Sequence, residues 1–438
     1  MVKFLHKLLG NERGNVIFIM AASLPVIIGC AGLATDTIQW TLWKRQLQRA
    51  ADSAAVAGVY TRTVTNTQTA VETAVCSDLA KNQQTGMTLA GSYVTCPDGT
   101  TRRGTVTLVA DSGVMTKQVQ VSLTLQQSLP FSSMFVTTAP SITAVATAAS
   151  VPAGGDACIQ ALESSASQTG ITNSGNTTVS APKCIMYSNS PSVNSASAGG
   201  SSSVTVKSIA AVGGISQSSN WSVQSYLPYS PSLADPFANV TPDPNAMNCS
   251  SAALDQTTNI SAAVAAGTNC WSSLSVGANK TLNMGSYAGP IYINGGSADL
   301  KGTFNCTGCT IVLTNKSTAT NATIGTLSSN AQAANNISAP TTGTFKGIAI
   351  YQDRRAIGNT NKINGGSGSV ITGAVYFPND VLWINGSGGG VALCAMWVAR
   401  RIVFTGNSSI TLTAMSDSTC AGSGMPTGGA VAMIRLVA

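Results

Sequence analysis

The sequence predicts a mainly β protein held by one N-terminal transmembrane helix. It predicts a small α+β membrane-proximal domain, then a β-solenoid of parallel β-helix type, with a β-sandwich as the competing architecture. Three observations lead there. Val16–Ala34 runs nineteen residues without a charge. Beyond residue 60, short bursts of Val and Ile alternate with clusters of Gly, Ser, Thr and Asn. Only 9% of the 438 residues are charged, against about a quarter in an average globular domain. Scarce charge with recurrent β-branched residues suits many short strands joined by polar turns.

The same totals exclude several functions. The net charge is +7, but it reflects few acids rather than a basic block. Aromatic residues are not interleaved with Lys or Arg, so no nucleic-acid partner is expected. The single histidine, His6, precedes the apolar run. Chemistry that needs a histidine base or ligand is therefore absent from the rest of the chain. No cofactor, metal site or catalytic residue is expected.

The apolar run is the first element. Nineteen residues at 1.5 Å each span about 30 Å, the thickness of a bilayer's hydrocarbon core. Pro25 sits mid-run and removes one backbone donor, which membrane helices tolerate. A cleaved signal peptide would have a shorter apolar core and a small-residue cut site, whereas DTIQWTLWKRQ continues as helix. Ile27-Ile28-Gly29-Cys30 resembles a lipid-attachment box, but Cys30 lies deep in the run, where a small buried thiol is the simpler reading. Basic residues flank both ends: Lys3, Lys7 and Arg13 on one side, Lys44, Arg45 and Arg49 on the other. Ten of eleven cysteines follow the run and none precedes it, which puts the C-terminal side in an oxidising compartment. The expected divisions are a cytoplasmic tail (1–15), the transmembrane helix (16–35), a juxtamembrane helix with an α+β domain (36–150) and the β-rich body (151–438).

After the run, Trp40, Trp43, Leu47, Ala50, Ala54 and Ala57 recur at spacings of three and four. They form one apolar seam whose distal half is alanine, so another backbone can approach closely. The seam serves either its own domain or a partner helix. Val106, Leu108 and Val119, Val121, Leu123, Leu125 alternate with period two, as in strands. PSITAVATAASV from Pro140 reads as the last strand of this unit, and Cys76 with Cys96 would staple it. VPAGGD at 151–156 reads as a linker.

From there, bursts such as GPIYING, CTIVLTN, GIAIYQD and VLWINGSGGG repeat a grammar of three to five strand residues and then Gly or Asn. That grammar fits stacked rungs. Residues 226–244 carry five prolines and read as a loop, as does the Asn- and Thr-rich stretch 316–344. GGAVAMIRLVA reads as a closing strand. Neighbouring cysteines pair as Cys158–Cys184, Cys249–Cys270, Cys306–Cys309 and Cys394–Cys420 in this reading. Cys306-Thr-Gly-Cys309 lacks the setting of a redox or zinc motif and reads as a turn disulfide. YQDRR at 351–355 concentrates charge: Asp353 and Asp380 are expected to pair with Arg354 or Arg355 at a corner. Two aspartates are few for the calcium site of a polysaccharide lyase.

Several of these residues also carry a family resemblance. Arg13-Gly14-Asn15, Leu24-Pro25, Gly32-Leu33-Ala34 with Asp36, and LQRAADSAAVAG (including Leu47, Ala50, Ala51 and Asp52) resemble the N-terminal segment of TadE/TadG-like proteins of the Flp (tight-adherence) pilus system. YQDRR and YFPND resemble the C-terminal parts of TadG-like chains that lack a von Willebrand factor A domain. The Asp-x-Ser-x-Ser of that domain is absent here. The position five after Gly14 is Ile19 rather than the Glu of prepilin-like relatives. The resemblance implies a non-enzymatic, single-pass bacterial inner-membrane protein with a periplasmic or cell-surface body. Its implied partners are the inner membrane and other pilus-assembly proteins or pilin. Apart from the resemblance, the seam residues Trp40 and Trp43 and the charged corner residues Asp353, Arg354 and Arg355 are the interface candidates. A glycan-binding surface adhesin is the alternative function, and a β-helix polysaccharide lyase a more distant one.

Overall fold

The computed structural model describes residues 15–82, 89–90, 93–95, 101–330, 332–364, 368–385, 389–425 and 430–437. It is mainly β, with one long N-terminal helix and few others. The chain divides into two compact units: residues 1–151 with 434–438, and residues 152–433.

The first unit is built on α1 (Asn15–Val64) and α2 (Gln68–Asn82). Fifty residues make α1 about 75 Å long. Its distal half packs, with α2, on an antiparallel sheet. In that sheet Thr116–Gln126 lies between Thr101–Leu108 and the first part of Ser141–Ala161. The register sets large residues opposite alanine: Val119 with Ala148, Val121 with Ala146, Leu123 with Ala144. All six are buried. Large-against-small pairing lets Leu47, Ala51, Ala54 and Ala55 of α1 pack into the same core. At Gly58 even one added carbon would meet Val119 at 2.8 Å, so helix and sheet are in close contact there.

The second unit is organised as three ladders whose pairings are all parallel among the described residues. The antiparallel pairing that a sandwich requires occurs only in the first unit among those residues. One ladder runs through Gly289–Asn294, Cys309–Thr314, Ile348–Gln352 and the middle of Val370–Ile384. It continues through Gly389–Phe404, the end of Ser141–Ala161, Thr178–Ser188 and Ser203–Ala211. Register puts Ile291, Ile311, Ile350, Val375, Trp397, Ile159, Met186 and Ile209 in one file. All are buried in one continuous core. Each strand of the ladder therefore covers the apolar residues of the next.

Spatial and chain order differ. The chain enters at Ile159–Ala161, builds outward to Ser225–Leu227, and restarts at the other extreme, where Cys249 pairs with Cys270 and Leu254–Asp255 with Leu274–Ser275. It then builds back until Trp397–Ala399 pairs with Ile159–Ala161. Residues 228–248 make the return between the two extremes. Near the restart, α3 (Ile260–Ala265) is capped by Asn259 and sets Ile260 and Ala263 against the interior.

Several expectations are corrected. Residues 151–156 are no linker: they lie within the strand Ser141–Ala161, where Gly155 takes φ +109°. The 316–344 stretch holds the strands Leu327–Ser329 and Ala334–Ser338. Their polar outward residues hid the period. The strand Ala430–Leu436 does not simply close the β-rich body, since residues from Ile434 onward belong to the first unit, where the Val437 N–H donates to the Thr147 carbonyl at 2.8 Å.

Candidate interaction surfaces

The proximal half of α1 is the first candidate. Val16, Ile17, Ile19, Met20, Leu24, Val26, Ile27, Ile28 and Leu33 are exposed, and Pro25 lies within the helix. It is one helix long and apolar enough to cross a membrane, and only 6% of its most apolar window is buried. Exposure of apolar side chains continues past the charge-free run to Ile38, Trp40 and Leu42.

Gly32 and Asp36 lie one turn apart on α1 and receive a loop. The Phe131 ring lies where a side chain at Gly32 would stand. Asp36 is 3% exposed and accepts the Phe131 N–H at 2.8 Å, the Ser132 N–H at 2.6 Å and the Ser132 hydroxyl. This carboxylate fills the role of a helix cap for the short turn Ser132–Met134. The only sequence signal for this role is an acid two residues past an apolar run.

Beyond this point the two seam tryptophans separate. Trp43 is buried with Leu47, Ala50, Ala51 and Ala54, while Trp40 is 40% exposed. The seam thus serves its own domain from Trp43 on, with Ala57 only half-buried. Asp52 lies off the seam and accepts from Gln48 at 2.8 Å. Gly14 and Cys96 lie outside the described residues; Cys76 is disulfide-bonded.

The second candidate is the YQDRR corner. Asp353 is buried and takes a bidentate pair from Arg355, 3.1 Å to Nε and 2.8 Å to Nη2, plus the Thr314 hydroxyl at 2.7 Å. Burial alone would raise its pKa, but the bonds from Arg355 and Thr314 outweigh that and hold it below the usual carboxylate range. Arg355 also donates to the Asn315 and Ala319 carbonyls at 3.0 and 3.1 Å, tying down the 315–319 turn. Arg354 faces the other way. It bonds Asp235 at 3.1 Å, the Val240 carbonyl at 3.0 Å, the Phe237 carbonyl and the Tyr376 hydroxyl. Burial pushes the Tyr376 hydroxyl up, with Asp235 acting in the same direction, so it stays a donor to Asp235 at 2.7 Å. Asp380 pairs with neither arginine. It is fully buried and accepts the Asn359 N–H at 2.8 Å and the Asn361 amide at 3.3 Å.

These contacts explain the proline-rich segment. Tyr292, Val312, Tyr351, Tyr376, Val398, Gln160 and Tyr187 form the file on the opposite side of the strands from the interior isoleucines. Residues 228–248 run along that file as a strap. Tyr187 donates to the Pro231 carbonyl, Gln160 to those of Leu233 and Ala234 at 3.0 Å, and Tyr351 to that of Val240 at 2.8 Å. Phe237 and Met247 are buried against the tyrosines. Prolines supply a chain with few donors to satisfy and little entropy to lose. A cleft of about 390 Å³ remains beside Asp353, Arg354 and Arg355, lined also by Pro242, Pro244 and Thr318. Among the described residues no group of three or more His, Cys, Asp or Glu could hold a metal.

Four disulfides lie in the second unit: Cys158–Cys184, Cys249–Cys270, Cys306–Cys309 and Cys394–Cys420. Cys306–Cys309 closes a turn at Gly308, whose φ is +72°. The free Cys30 is exposed on α1.

The chain therefore combines a β-rich body with one N-terminal helix long and apolar enough to cross a membrane. Residues 14–62 match the TadE/G-like Flp pilus-assembly family model and carry that segment. No curated protein sequence and no solved structure matches the chain.

Proposed function

We propose that this is a single-pass, membrane-anchored and non-enzymatic component of a Flp pilus-assembly system. In this reading residues 16–35 cross the inner membrane, residues 36–150 form a membrane-proximal domain, and the body from 151 onward is a β-solenoid on the periplasmic or outer side. The observation that carries it is the matched segment 14–62, whose apolar face is left bare by its own domain. The disulfides of the second unit favour the oxidising side. The arginines of the YQDRR corner are engaged in binding the strap and the 315–319 turn, which suits a scaffold rather than a catalyst. The body offers other assembly proteins or pilin a surface of stacked amides, such as Asn283, Asn305 and Asn336, which bond to one another along one ladder. Deleting the gene should abolish or reduce surface piliation, and the full chain should restore it. Restoration by a chain starting at residue 36 behind a cleavable signal would overturn the anchor, and unchanged piliation would overturn the assembly role.

A further inference from the structure

We infer that the loop 129–136 is a second membrane contact, an interfacial foot that seats in the outer leaflet beside α1. The inference rests on the anchoring reading above. Three observations carry it. First, height: exposed apolar side chains on α1 run from Val16 to Leu42. Those 27 residues rise about 40 Å, which matches a bilayer with its interfacial layers. Gly32 and Asp36, which hold the loop, lie ten and six residues below Leu42, so the loop is held about 9–15 Å inside that apolar band. Second, surface: Met134, Phe135 and Val136 are 76%, 74% and 54% exposed. Three large apolar residues in a row, bare on a loop, mark an interaction surface rather than a core. Phe135 packs on Phe131 with ring centroids 5.4 Å apart, and Phe131 packs on Gly32. The apolar surface is therefore continuous with that of the helix. Third, charge: no Asp, Glu, Lys or Arg occurs between Lys117 and Asp156, so the loop carries no ion of its own into the layer, and the one carboxylate beneath it, Asp36, is already buried and hydrogen-bonded by the loop. Trp40, exposed just above, is placed as an interfacial aromatic.

The Asp36 carboxylate then has a specific task. It satisfies the backbone donors at Phe131 and Ser132, which lipid could not do. Asp36 is thus a positioning residue for the foot.

The test uses the full chain in a Cys30→Ala background, reconstituted in phosphatidylcholine–phosphatidylglycerol vesicles. A nitrobenzoxadiazole probe is placed singly by Met134→Cys, Leu33→Cys or Val193→Cys, with nitroxide-labelled lipid as quencher. Probes at 134 and 33 should emit blue-shifted light and be quenched, and the probe at 193 should do neither. Asp36→Leu should abolish quenching at 134 and leave it at 33. Quenching at 33 with a water-like, unquenched probe at 134 would overturn the foot and keep the anchor. Loss of quenching at both would overturn the anchor and the foot with it.

Discussion

The two units solve one problem in opposite ways. Both are poor in charge, and both must bury enough surface with small residues. The first unit does so locally, with alanines of α1 meeting alanines of the sheet and Val119, Val121 and Leu123 filling the gaps. Its contacts are close because the residues are small. The ladder unit does so by repetition: the interior file stacks Ile, Val, Trp and Met on their equivalents in the next strand, and aromatic rings carry the outer layer under the strap. The first is specified by shape at a few tight contacts. The second is specified by register, and a disulfide holds some of the places where the chain departs from register, such as Cys158–Cys184.

Cross-links are therefore where the comparison breaks most visibly. Cys158 and Cys184 each sit at a register shift, between Ala157 and Ile159 and between Ala181 and Ile185. Replacing both by Ser should destabilise the ladder unit by about 3 kcal/mol, from the loop their 26-residue separation closes. Hydrogen exchange on the intact detergent-solubilised protein would show faster exchange in 156–211 and unchanged exchange in 43–80. Equal loss in both would mean that the two units do not fold by separate rules.

The converse substitution attacks shape. Ala54 is fully buried in the alanine seam. Ala54→Leu should overpack the helix–sheet contact and cost about 1–3 kcal/mol, read as faster exchange in 43–80 and 119–148 alone. A ladder position such as Val375→Ile, where one methylene is spread along a file, should cost less. If Ala54→Leu were neutral, the seam would be a loose surface awaiting a partner helix rather than a finished core.

How much of this could be read from residues alone follows the same division. The period-two pattern at 119–125 is local, so the strands it predicts lie where they should. The seam from Trp43 to Ala54 is equally local. The strap was not legible. Its prolines announce a loop, but the partners of Asp235, Arg354 and Tyr376 lie 119 and 141 residues apart in sequence. Nor was the order of the rungs, because parallel pairing between 159 and 397 leaves no trace in either segment. The expectation for Asp380 fails for a related reason: an aspartate near arginines in sequence reads as an ion pair, yet here the fold supplies an amide and an N–H instead. Asp36 was recognised as a motif residue, but its partner loop lies 95 residues on.

The smallest expected effect distinguishes the units by acid. In the ladder unit the Asp353 pKa is held below 3.8 by Arg355 and Thr314, against the pull of burial. A group whose native pKa is lowered contributes stability above its unfolded value and loses it as pH falls through the native one. The stability of the ladder unit should thus be flat from neutrality to about pH 4 and then decline. Asp353→Asn should reduce that acid decline and, at neutral pH, loosen the 315–319 turn, because Arg355 would keep its carbonyl partners but lose its counter-charge. Urea unfolding at a series of pH values measures the slope, and limited proteolysis at 315–319 measures the turn. An acid slope identical in Asp353→Asn and the parent would assign the decline to other carboxylates. It would also reduce the Asp353–Arg355 pair to a positional contact whose electrostatic gain is cancelled by desolvation, which is the balance expected of a pair this deeply placed.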